Sequence, residues 1–414
     1  MKIVYVNPVG ALGGAERSLL DFLASLRKED PSLDLHLITG TEGPLLAAAE
    51  TLGVRGEILA MPPYLVELGD STLSFNSGTA VGKACSLAWR GFRGWLEARR
   101  YARQLKARLQ ELAPDVVHSN GIKCHILCSM AHVAGVPIVW HIHDFLSTRR
   151  VVGRALRWSS GRVSQTIANS RAVEADVRDL LRGVPAMTIY YGIDTDYFAP
   201  GAGNGDHLDE LAGLAPGGRE MLRVGLLATY ARWKGQDVFL EAAAKLAESS
   251  GGRPVRFFIV GGPIYQTQGS QYAEEELRGL ATRLGVAHRV GFIPFQSDTA
   301  AVYRSLDVVV HASTKPEPFG RTIVEAMACG RAVIAMQAGG AAELFTHESD
   351  ALGAAPNDPT ALSVAIHALT ENSALRQRLG ESARKNTVAR FSRGRLGAEL
   401  LAVYRHLVTT PAVV

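Results

Sequence analysis

The sequence is poor in cysteine, in excess charge of one sign and in long hydrophobic runs. Its four cysteines suggest no disulfide framework, so we expect a reducing compartment. Basic residues exceed acidic residues by only four charges, which does not favour a nucleic-acid partner. No stretch reaches the roughly 18 apolar residues of a membrane-spanning helix. Together these absences predict a soluble, cytoplasmic protein that does not bind nucleic acid.

The cysteines also provide no recognisable metal site. Cys124 and Cys128 flank His125, but this spacing fits no common zinc ribbon. The residues that follow, 126–135, are mostly apolar and indicate a buried helix. We therefore predict that this segment is structural and binds no metal.

What the sequence does contain is an alternation of short apolar runs and longer helical patterns. The apolar runs predict strands at 2–6, 34–39, 116–118, 138–141, 163–168, 223–227, 255–260, 290–293, 308–312 and 332–336. These runs are rich in Val and Ile without polar alternation, as in parallel strands that are buried on both faces. We therefore predict an α/β fold of doubly wound parallel sheets. A chain of 414 residues is long enough for two such domains.

One segment interrupts the alternation. Residues 198–220 are rich in glycine, proline and alanine, which predicts a linker. We therefore expect an N-terminal domain at 1–197, a C-terminal domain at 221–392 and a final helix in 393–414. No strand follows this helix, so we expect it to pack back on the first domain. Ligands of doubly wound sheets bind at the carboxyl ends of the strands, where we expect the functional residues.

The most informative segment is residues 316–335, PEPFGRTIVEAMACGRAVIA. Glu317 and Glu325 lie on either side of Phe319 and Gly320, around the predicted start of a helix. Free backbone N–H groups at a helix start suit a phosphate. A carboxylate one to two turns into the helix can accept hydrogen bonds from both hydroxyls of a ribose. Two solvated glutamates beside a helix cap are the alternative interpretation.

Further motifs occur along the whole chain. They are GGAERSL at 13–19, HIHDF at 141–145, ANSRAV at 168–173, YYGIDTDYF at 190–198, RWKGQDVFLEA at 232–242, VGG at 260–262, VGFIP at 290–294 and GGAAEL at 339–344. With these motifs the chain resembles family 4 of the retaining glycosyltransferases. The resemblance implies the GT-B fold, in which two Rossmann-like domains face each other. The first domain is then the acceptor side, and the second binds a nucleotide-sugar donor.

The resemblance also implies a role for individual residues. Glu317 would contact the donor sugar, Glu325 the ribose and Lys234 the diphosphate, where negative charge gathers as the glycosidic bond breaks. The complete predicted site consists of His143, Glu317, Lys234 and Arg232 as catalytic residues, and Gly13, Gly14, Phe319, Gly320, Arg321 and Glu325 as donor-binding residues.

Some positions leave alternatives open. Thr229 stands where the family often has a second diphosphate-binding arginine, so either Arg232 takes over that role or the charge is neutralised differently. His141 and His143 point to one side of their strand, and the resemblance favours His143 as the donor-sugar contact. A packed structural histidine is the alternative for His143. Tyr191 departs from the family, which most often has asparagine there.

We predict that the reaction needs no metal and no cofactor besides the donor. Asp194 and Asp196 form a D-x-D motif, which binds a divalent cation in another glycosyltransferase fold. Here the resemblance implies a structural turn instead. The family implies front-face substitution with retention, in which the donor's phosphate oxygen takes the acceptor proton. The chain is then a hexosyltransferase that uses a nucleoside-diphosphate sugar.

The acceptor is not specified by the motifs, and we expect a cell-envelope glycan, a lipid-linked sugar or a small glycoside. Two other functions are compatible with the same scaffold. One is a sugar phosphorylase or nucleotide-sugar epimerase, and the other is a non-catalytic nucleotide-sugar-binding subunit. Intact Glu317, Glu325 and Lys234 argue against a degenerate subunit.

Two basic segments of the first domain are candidates for contact with a membrane surface. The first contains Trp89, Arg90, Phe92, Arg93, Trp95, Leu96, Arg99, Arg100, Arg103, Lys106 and Arg108, and the second contains Arg149, Arg150, Arg154 and Arg157. One interpretation is a solvated helix face. The other is an interfacial helix that holds the enzyme at the inner face of an anionic membrane.

Overall fold

The structure is a computed structural model that describes residues 1–67, 80–248, 253–263 and 269–410. Of residues 67, 80–92, 150 and 248 only the backbone is described. The chain divides into two compact units: unit 1 is Met1–Gly192 with Arg393–Val414, and unit 2 is Ile193–Ser392.

Unit 1 is built on one parallel sheet. Its strands are β1 Lys2–Asn7, β2 Asp34–Thr39, β3 Arg55–Ile58, β4 Val116–Asn120, β5 Ile138–Ile142, β6 Gln165–Ala168 and β7 Ala186–Thr188. Their order in the sheet is β3-β2-β1-β4-β5-β6-β7. The helices between them are α1 Gly14–Glu29, α2 Pro44–Glu50, α3 Pro63–Glu67, α4 Ala80–Leu112, α5 Ile122–Met130, α6 Arg150–Ser159 and α7 Arg171–Leu180.

Unit 2 repeats this plan. Its strands are β8 Leu222–Leu227, β9 Val255–Val260, β10 Val290–Ile293, β11 Val308–His311, β12 Ala332–Met336 and β13 Leu352–Ala354, in the order β10-β9-β8-β11-β12-β13. Its helices are α8 Gly205–Leu211, α9 Gln236–Glu248, α10 Glu274–Arg283, α11 Thr299–Ser305, α12 Arg321–Ala328, α13 Pro359–Glu371 and α14 Ser373–Phe391. Short 3₁₀ segments are Ser160–Arg162 in unit 1, and Arg232–Lys234, Ala287–Arg289 and Gly340–Glu343 in unit 2.

The chain ends in unit 1. A 3₁₀ segment, Arg393–Arg395, leads into the last helix, α15 Leu396–Thr409, which packs against α1. The contact is close because a Cβ at Gly397 would meet the carbonyl oxygen of Ser25 at 2.5 Å. The Gly397 N–H donates a hydrogen bond of 2.7 Å to the Ser25 hydroxyl. The prediction of two doubly wound parallel sheets with a returning C-terminal helix is confirmed.

The central strands explain why this pattern was readable from the sequence. All five residues of β4, β5 and β12 are buried, since helices cover both faces of each sheet. Strands β3, β7 and β13 were not predicted, and all three lie at sheet edges. An edge strand has one neighbour instead of two and does not need a continuous apolar run.

The segment predicted as a linker, residues 198–220, lies within unit 2. It contains α8, whose Asp209 is fully buried. The carboxylate of Asp209 accepts a hydrogen bond of 2.7 Å from the guanidinium of Arg223 in β8. A buried, paired carboxylate ties this segment to the second sheet. Among the helices that the structure describes, none is long and apolar enough to cross a membrane.

Candidate active site

Both sheets reverse their strand order at one point, between β1 and β4 in unit 1 and between β8 and β11 in unit 2. Loops on either side of such a point diverge and leave a crevice at the carboxyl ends of the strands. The loop after β8 contains Lys234, and the loop after β11 contains Glu317. The topology therefore brings these two residues to the same crevice although 83 positions separate them.

Lys234 and Glu317 form a two-point ion pair. The Lys234 Nζ lies 2.9 Å from Oε1 and 2.8 Å from Oε2 of Glu317. Their side chains are 20% and 10% exposed, so the pair is largely removed from water. The ammonium also lies 4.0 Å from the centre of the Trp233 ring. Lys234 is therefore held by a carboxylate and an aromatic face at once.

Two polar residues that the sequence analysis did not single out complete the surroundings of Glu317. The Ser313 hydroxyl donates to Glu317 Oε2 at 2.8 Å, and the His311 Nε2 lies 3.2 Å from the same oxygen. Burial alone would raise the pKa of Glu317, but Lys234 and the hydrogen bond from His311 outweigh it, so the pKa is well below its usual range. The signal for both residues was their place at the end of a predicted strand, within VVVHAS.

The glycine pair of the motif GGAAEL holds the backbone of Glu317. The Gly340 N–H donates to the Glu317 carbonyl oxygen at 2.7 Å. Gly339 has a φ of +63°, and a Cβ there would meet that oxygen at 2.6 Å. Only glycine allows this approach, so the motif positions the Glu317 loop.

Helix α12 begins directly after this loop. Gly320 precedes its first residue with a φ of +101°, a conformation that favours glycine. The Phe319 ring is buried and packs edge-on against Phe391, with ring centres 6.0 Å apart. Phe319 therefore anchors the loop through its side chain. Helix α12 thus starts next to the Glu317 loop, and a helix start suits an anion because its N–H groups and its dipole attract negative charge.

Glu325 lies one turn into α12 and is 8% exposed. Its Oε1 accepts a hydrogen bond of 3.2 Å from Arg321, four residues earlier, and its Oε2 accepts one of 3.0 Å from the Tyr303 hydroxyl. Arg321 and Tyr303 therefore fix the direction of this carboxylate. Burial, reinforced by Glu325, raises the pKa of Tyr303, so its hydroxyl stays protonated and can donate.

Arg232 has a different environment from Lys234. Its guanidinium makes hydrogen bonds of 2.9 and 3.1 Å to the two oxygens of Glu276 and lies 4.3 Å from the centre of the Tyr272 ring. The side chain is 43% exposed. Arg232 is thus bound to α10, while Lys234 is bound to the loop after β11.

In unit 1, His143 follows β5 and takes part in a continuous hydrogen-bond network. Its Nε2 lies 2.5 Å from Asn120 Oδ1, and its Nδ1 lies 2.5 Å from the Tyr191 hydroxyl. Asn120, the last residue of β4, donates to Asn7 Oδ1 at 2.6 Å. Asn7 in turn donates to the Val9 carbonyl oxygen at 2.6 Å. The network therefore crosses the switch point of this sheet, from β1 through β4 to β5.

This network carries no charge at neutral pH. Burial lowers the pKa of His143 to about 3, which leaves the imidazole neutral. The ring stacks on His141, with centroids 4.6 Å apart. Burial also lowers the pKa of His141 strongly. His141 contacts His118 at 3.2 Å and lies behind His143, deeper in the unit.

Gly13 and Gly14 begin α1, after the loop that follows β1. The Gly13 N–H donates a hydrogen bond of 3.1 Å to Glu16. Among the described residues, no heavy atom would lie within 4 Å of a Cβ placed on Gly14. A Cβ on Gly10 of the same loop, by contrast, would meet the backbone of Glu42 at 2.5 Å. This close backbone contact requires glycine at position 10. At position 14, by contrast, the described residues leave space beside the glycine.

The D-x-D sequence forms a turn. Asp194 Oδ1 accepts hydrogen bonds of 3.0 and 3.1 Å from the N–H groups of Asp196 and Tyr197. Within the described residues, no group of three or more His, Cys, Asp or Glu side chains could hold a metal ion.

Comparisons with known proteins identify the family of the chain. Residues 12–197 match the family model described as Glycosyltransferase Family 4, and residues 221–386 match the one described as Glycosyl transferases group 1. The chain is a member of glycosyltransferase family 4.

Two relatives illustrate which proteins the chain is similar to. A D-inositol 3-phosphate glycosyltransferase of Rhodococcus erythropolis is 35% identical over 189 residues, 42% of this chain and 40% of that protein. An uncharacterized glycosyltransferase of Methanocaldococcus jannaschii is 25% identical over 70% of this chain and 75% of its own length. The alignment with the inositol phosphate enzyme thus spans less than half of that protein.

Among solved structures, Anabaena HepE in complex with UDP has a TM-score of 0.77 with this chain. The identity is 25%, over 98% of this chain and 100% of HepE. The same protein has been solved with UDP-glucose, at 26% identity and a TM-score of 0.76. The chain therefore has the GT-B fold, with two parallel sheets.

The predicted site residues fall into two sets, one in each unit. Unit 2 contains Lys234, Glu317, Phe319, Gly320, Arg321, Glu325 and Arg232, and unit 1 contains His143, Gly13 and Gly14. Lys234 and Glu317 touch each other, and Arg321 touches Glu325, whereas Arg232 binds a different helix.

The basic segments of unit 1 are partly described. Trp89, Arg90, Phe92 and Arg150 have side chains outside the described residues. In α4, Trp95 is 44% exposed and the Arg99 guanidinium lies 4.6 Å from its ring. In α6, Trp158 is 81% exposed, a residue that the sequence analysis did not single out. Two of the basic residues pair with carboxylates, Arg108 with Glu57 at 2.8 Å and Arg149 with Asp144 at 3.2 Å.

Proposed function

We propose that this protein transfers a hexose from a nucleoside-diphosphate sugar to a hydroxyl of an acceptor, with retention of configuration and without a catalytic metal. The observation that carries the proposal is the buried ion pair of Lys234 and Glu317 at the switch point of the second sheet, next to the start of α12. A cation, a carboxylate and a helix N-terminus are what a sugar diphosphate requires at one place.

Lys234 is suited to the diphosphate because an ammonium has three N–H donors. Two of them point to the oxygens of Glu317, which leaves the third for a phosphate oxygen. As the bond between the anomeric carbon and the phosphate oxygen breaks, the leaving diphosphate gains negative charge. A cation placed there in advance stabilises this charge in the transition state more than in the bound donor. The backbone N–H groups at Phe319 and Gly320 would bind the same group.

Glu317 is suited to hydroxyls of the donor sugar. Its Oε2 already accepts from Lys234, Ser313 and His311, but among the described residues its Oε1 accepts from Lys234 alone. A carboxylate oxygen can accept a second hydrogen bond, so Oε1 can receive one from a sugar hydroxyl. Glu325, oriented by Arg321 and Tyr303, would accept the hydroxyls of the ribose in the same way.

Unit 1 would contribute His143, Gly13 and Gly14 to donor recognition. The neutral imidazole of His143 can donate a hydrogen bond to a sugar hydroxyl in place of Asn120. The open space beside Gly14 permits close approach of a phosphate or sugar to the start of α1. Unit 1 would be the acceptor side, and unit 2 the donor side.

The proposed step is a front-face substitution. The acceptor oxygen forms a bond to the anomeric carbon on the face from which the phosphate oxygen leaves. The acceptor proton passes to that phosphate oxygen, so no protein carboxylate acts as a nucleophile. Lys234, Ser313 and His311 donate hydrogen bonds to the carboxylate of Glu317. These bonds support a route in which that carboxylate is not the nucleophile. The protein then supplies orientation and electrostatic stabilisation.

HepE supports uridine as the nucleoside of the donor, because it was solved with UDP and with UDP-glucose and its alignment with UDP bound covers 98% of this chain. UDP-glucose is therefore the first donor to test. For the acceptor, the named relatives add inositol phosphates to the cell-envelope glycans, lipid-linked sugars and small glycosides that we expect from the sequence.

A donor screen by mass spectrometry tests the proposal. Wild-type protein is incubated with UDP-glucose and other nucleotide sugars, with and without candidate acceptors, and the products are weighed. We expect release of the nucleoside diphosphate with at least one donor, and loss of that release in Glu325→Ala. Donor release that is unchanged in Glu325→Ala would contradict the site. No release with any donor would favour a non-catalytic binding subunit.

We further propose that unit 1 binds the inner face of an anionic membrane from the cytoplasm. Exposed Trp95 and Trp158 can enter the lipid interface while neighbouring arginines meet the phosphates. Each arginine near an anionic surface contributes about 1 kcal/mol, and the attraction weakens at high salt.

Vesicle co-sedimentation tests the membrane contact. Binding should need anionic lipid, weaken at 1 M salt, where the Debye length is about 3 Å, and fall when Arg99, Arg100 and Arg103 become Ser. The matched control replaces three exposed arginines of unit 2, Arg219, Arg253 and Arg283, by Ser. An equal loss in both triple variants would show that only net charge matters, and equal pelleting with neutral vesicles would rule out the proposed contact.

A further inference from the structure

Tyr191 contacts a ring nitrogen of His143, although the two residues lie 48 positions apart. The distance from its hydroxyl to His143 Nδ1 is 2.5 Å, and the two ring centroids are 5.8 Å apart. Tyr191 is 5% exposed, so water has little access to this bond. The family most often has asparagine at this position, so the sequence alone did not indicate the contact.

The direction of this hydrogen bond follows from the other end of the network. Asn7 donates its amide N–H to the Val9 carbonyl oxygen, so its Oδ1 faces Asn120. Asn120 therefore donates to Asn7 and turns its own Oδ1 to His143. An amide oxygen can only accept, so His143 must have its proton on Nε2. A neutral imidazole with that proton accepts at Nδ1, and Tyr191 must be the donor.

The backbone at Tyr191 is held in place by the segment that leads into α15. The Arg395 guanidinium donates to the carbonyl oxygens of Tyr190 and Tyr191, the latter at 3.0 Å. A Cβ at Gly192 would meet the Cα of Arg393 at 2.5 Å, so the backbone after Tyr191 lies directly against this segment. The Tyr191 ring also packs on Phe22, at 6.1 Å between centroids. Tyr191 is therefore a rigid donor.

We propose that Tyr191 is a positioning residue that keeps His143 in its Nε2–H form and orients the ring, so that His143 acts as a hydrogen-bond donor. With Nδ1 occupied by the tyrosine, Nε2–H is the group that can turn from Asn120 to a hydroxyl of the donor sugar. The inference about the sugar rests on the proposed function, whereas the tautomer of His143 does not.

The experiment combines nitrogen-15 NMR of the histidine rings with kinetics, in wild type and in Tyr191→Phe. His143 is assigned from the signal that disappears in His143→Gln. We expect the wild-type spectrum at pH 7.5 to show the proton on Nε2 and a hydrogen-bonded Nδ1. In Tyr191→Phe, which keeps the ring packing, the Nδ1 resonance should move to that of an acceptor without a hydrogen bond.

The kinetic expectation is a loss in kcat with little change in KM. One hydrogen bond of this kind is worth about threefold to tenfold in rate. Tyr190→Phe is the matched control, since it removes the neighbouring hydroxyl and leaves the bond to His143 intact. The proposal is overturned if wild-type His143 has its proton on Nδ1, or if Tyr191→Phe changes neither the Nδ1 resonance nor kcat. Absence of any transfer by the wild type would contradict the proposed function alone, because the NMR result stands without it.

Discussion

The candidate residues of the two units lie after the carboxyl ends of strands in two similar sheets but differ in charge. In unit 1, His143 belongs to a neutral network of an imidazole, a phenol and two amides. In unit 2, Lys234 and Glu317 form a buried ion pair. The same topology thus supports a neutral set of hydrogen-bonding groups in one unit and a charged set in the other.

Under the proposed function, Lys234 of the charged set would meet the diphosphate, and the neutral set would meet hydroxyls of the donor sugar, as Glu317 would. Sugar hydroxyls are neutral, and neutral groups with a fixed donor direction recognise them without the cost of burying a charge. A diphosphate is strongly anionic and needs a cation, which a neighbouring carboxylate keeps compensated until the ligand arrives. Each prediction below tests one side of this contrast, in order of decreasing effect.

The largest effect is expected from Lys234→Ala. It removes the cation of the charged set and leaves Glu317 buried without its main partner. We expect turnover to fall by about 10²- to 10³-fold, as for other groups that stabilise a developing negative charge. The measurement is the initial rate of donor turnover for the purified variant.

Two variants make this result interpretable. Lys315→Ala removes an exposed lysine from the same loop as Glu317 and should stay close to wild type. The double variant Lys234→Ala with Glu317→Gln removes the unpaired buried charge, so it should recover stability but not activity. Wild-type turnover in Lys234→Ala would show that the charged set is not part of the site.

The two sets should respond to acid in different pH ranges. His143 has a pKa of about 3 in the folded protein against about 6.5 when unfolded, so folding excludes a proton. Stability is therefore lost as the pH falls below about 6.5, by at most about 1.4 kcal/mol per pH unit for this residue. Glu317 has a lowered pKa, so its contribution is present above about 4.3 and is lost only at lower pH.

Thermal unfolding between pH 7 and pH 4.5 checks this contrast. We expect His143→Gln to lose less stability than wild type over this range, because it has no imidazole to protonate. Glu317→Gln should follow the slope of wild type down to about pH 5.5, since above that pH Glu317 is ionised in both the folded and the unfolded state. Parallel slopes for all three proteins would mean that His143 is not held neutral by the fold.

A smaller effect is expected from Arg232→Ala. Arg232 is bound to Glu276 and is 43% exposed, so it must leave that partner before it can reach a phosphate. Exposed pairs of this kind are worth about 0.2–1 kcal/mol, and we expect donor affinity to change by less than about fivefold. Titration with UDP and UDP-glucose is the measurement. A loss as large as that of Lys234→Ala would place Arg232 in the charged set.

The smallest effect is expected from removal of divalent metal ions. The Asp194 carboxylate is engaged by backbone N–H groups, and Lys234 supplies the positive charge. Activity should therefore survive dialysis against EDTA, with at most a modest increase on addition of magnesium. Complete loss that magnesium reverses would show that a metal ion, and not Lys234, carries the charge of the donor side.

The sequence by itself was sufficient for the elements that are buried on both faces. The apolar runs of β5, β8 and β12 indicate strands that helices cover on both faces, because such strands need a nearly continuous apolar sequence. Edge strands such as β3, with half of their hydrogen bonds and a polar sequence, could not be recognised in this way. The motif around Glu317 and Glu325 was also readable, because glycine and a helix start have local requirements.

Tertiary structure alone decided which residues meet. Lys234 reaches Glu317 across 83 positions because β8 and β11 are neighbours in the sheet, and strand order is not encoded in any single segment. Arg232, two residues before Lys234, turns to α10 instead, which its spacing did not reveal. Tyr191 looked like a departure from a family motif, and only the fold shows its contact with His143. A motif determines which groups are available, while long-range packing determines their partners and their protonation.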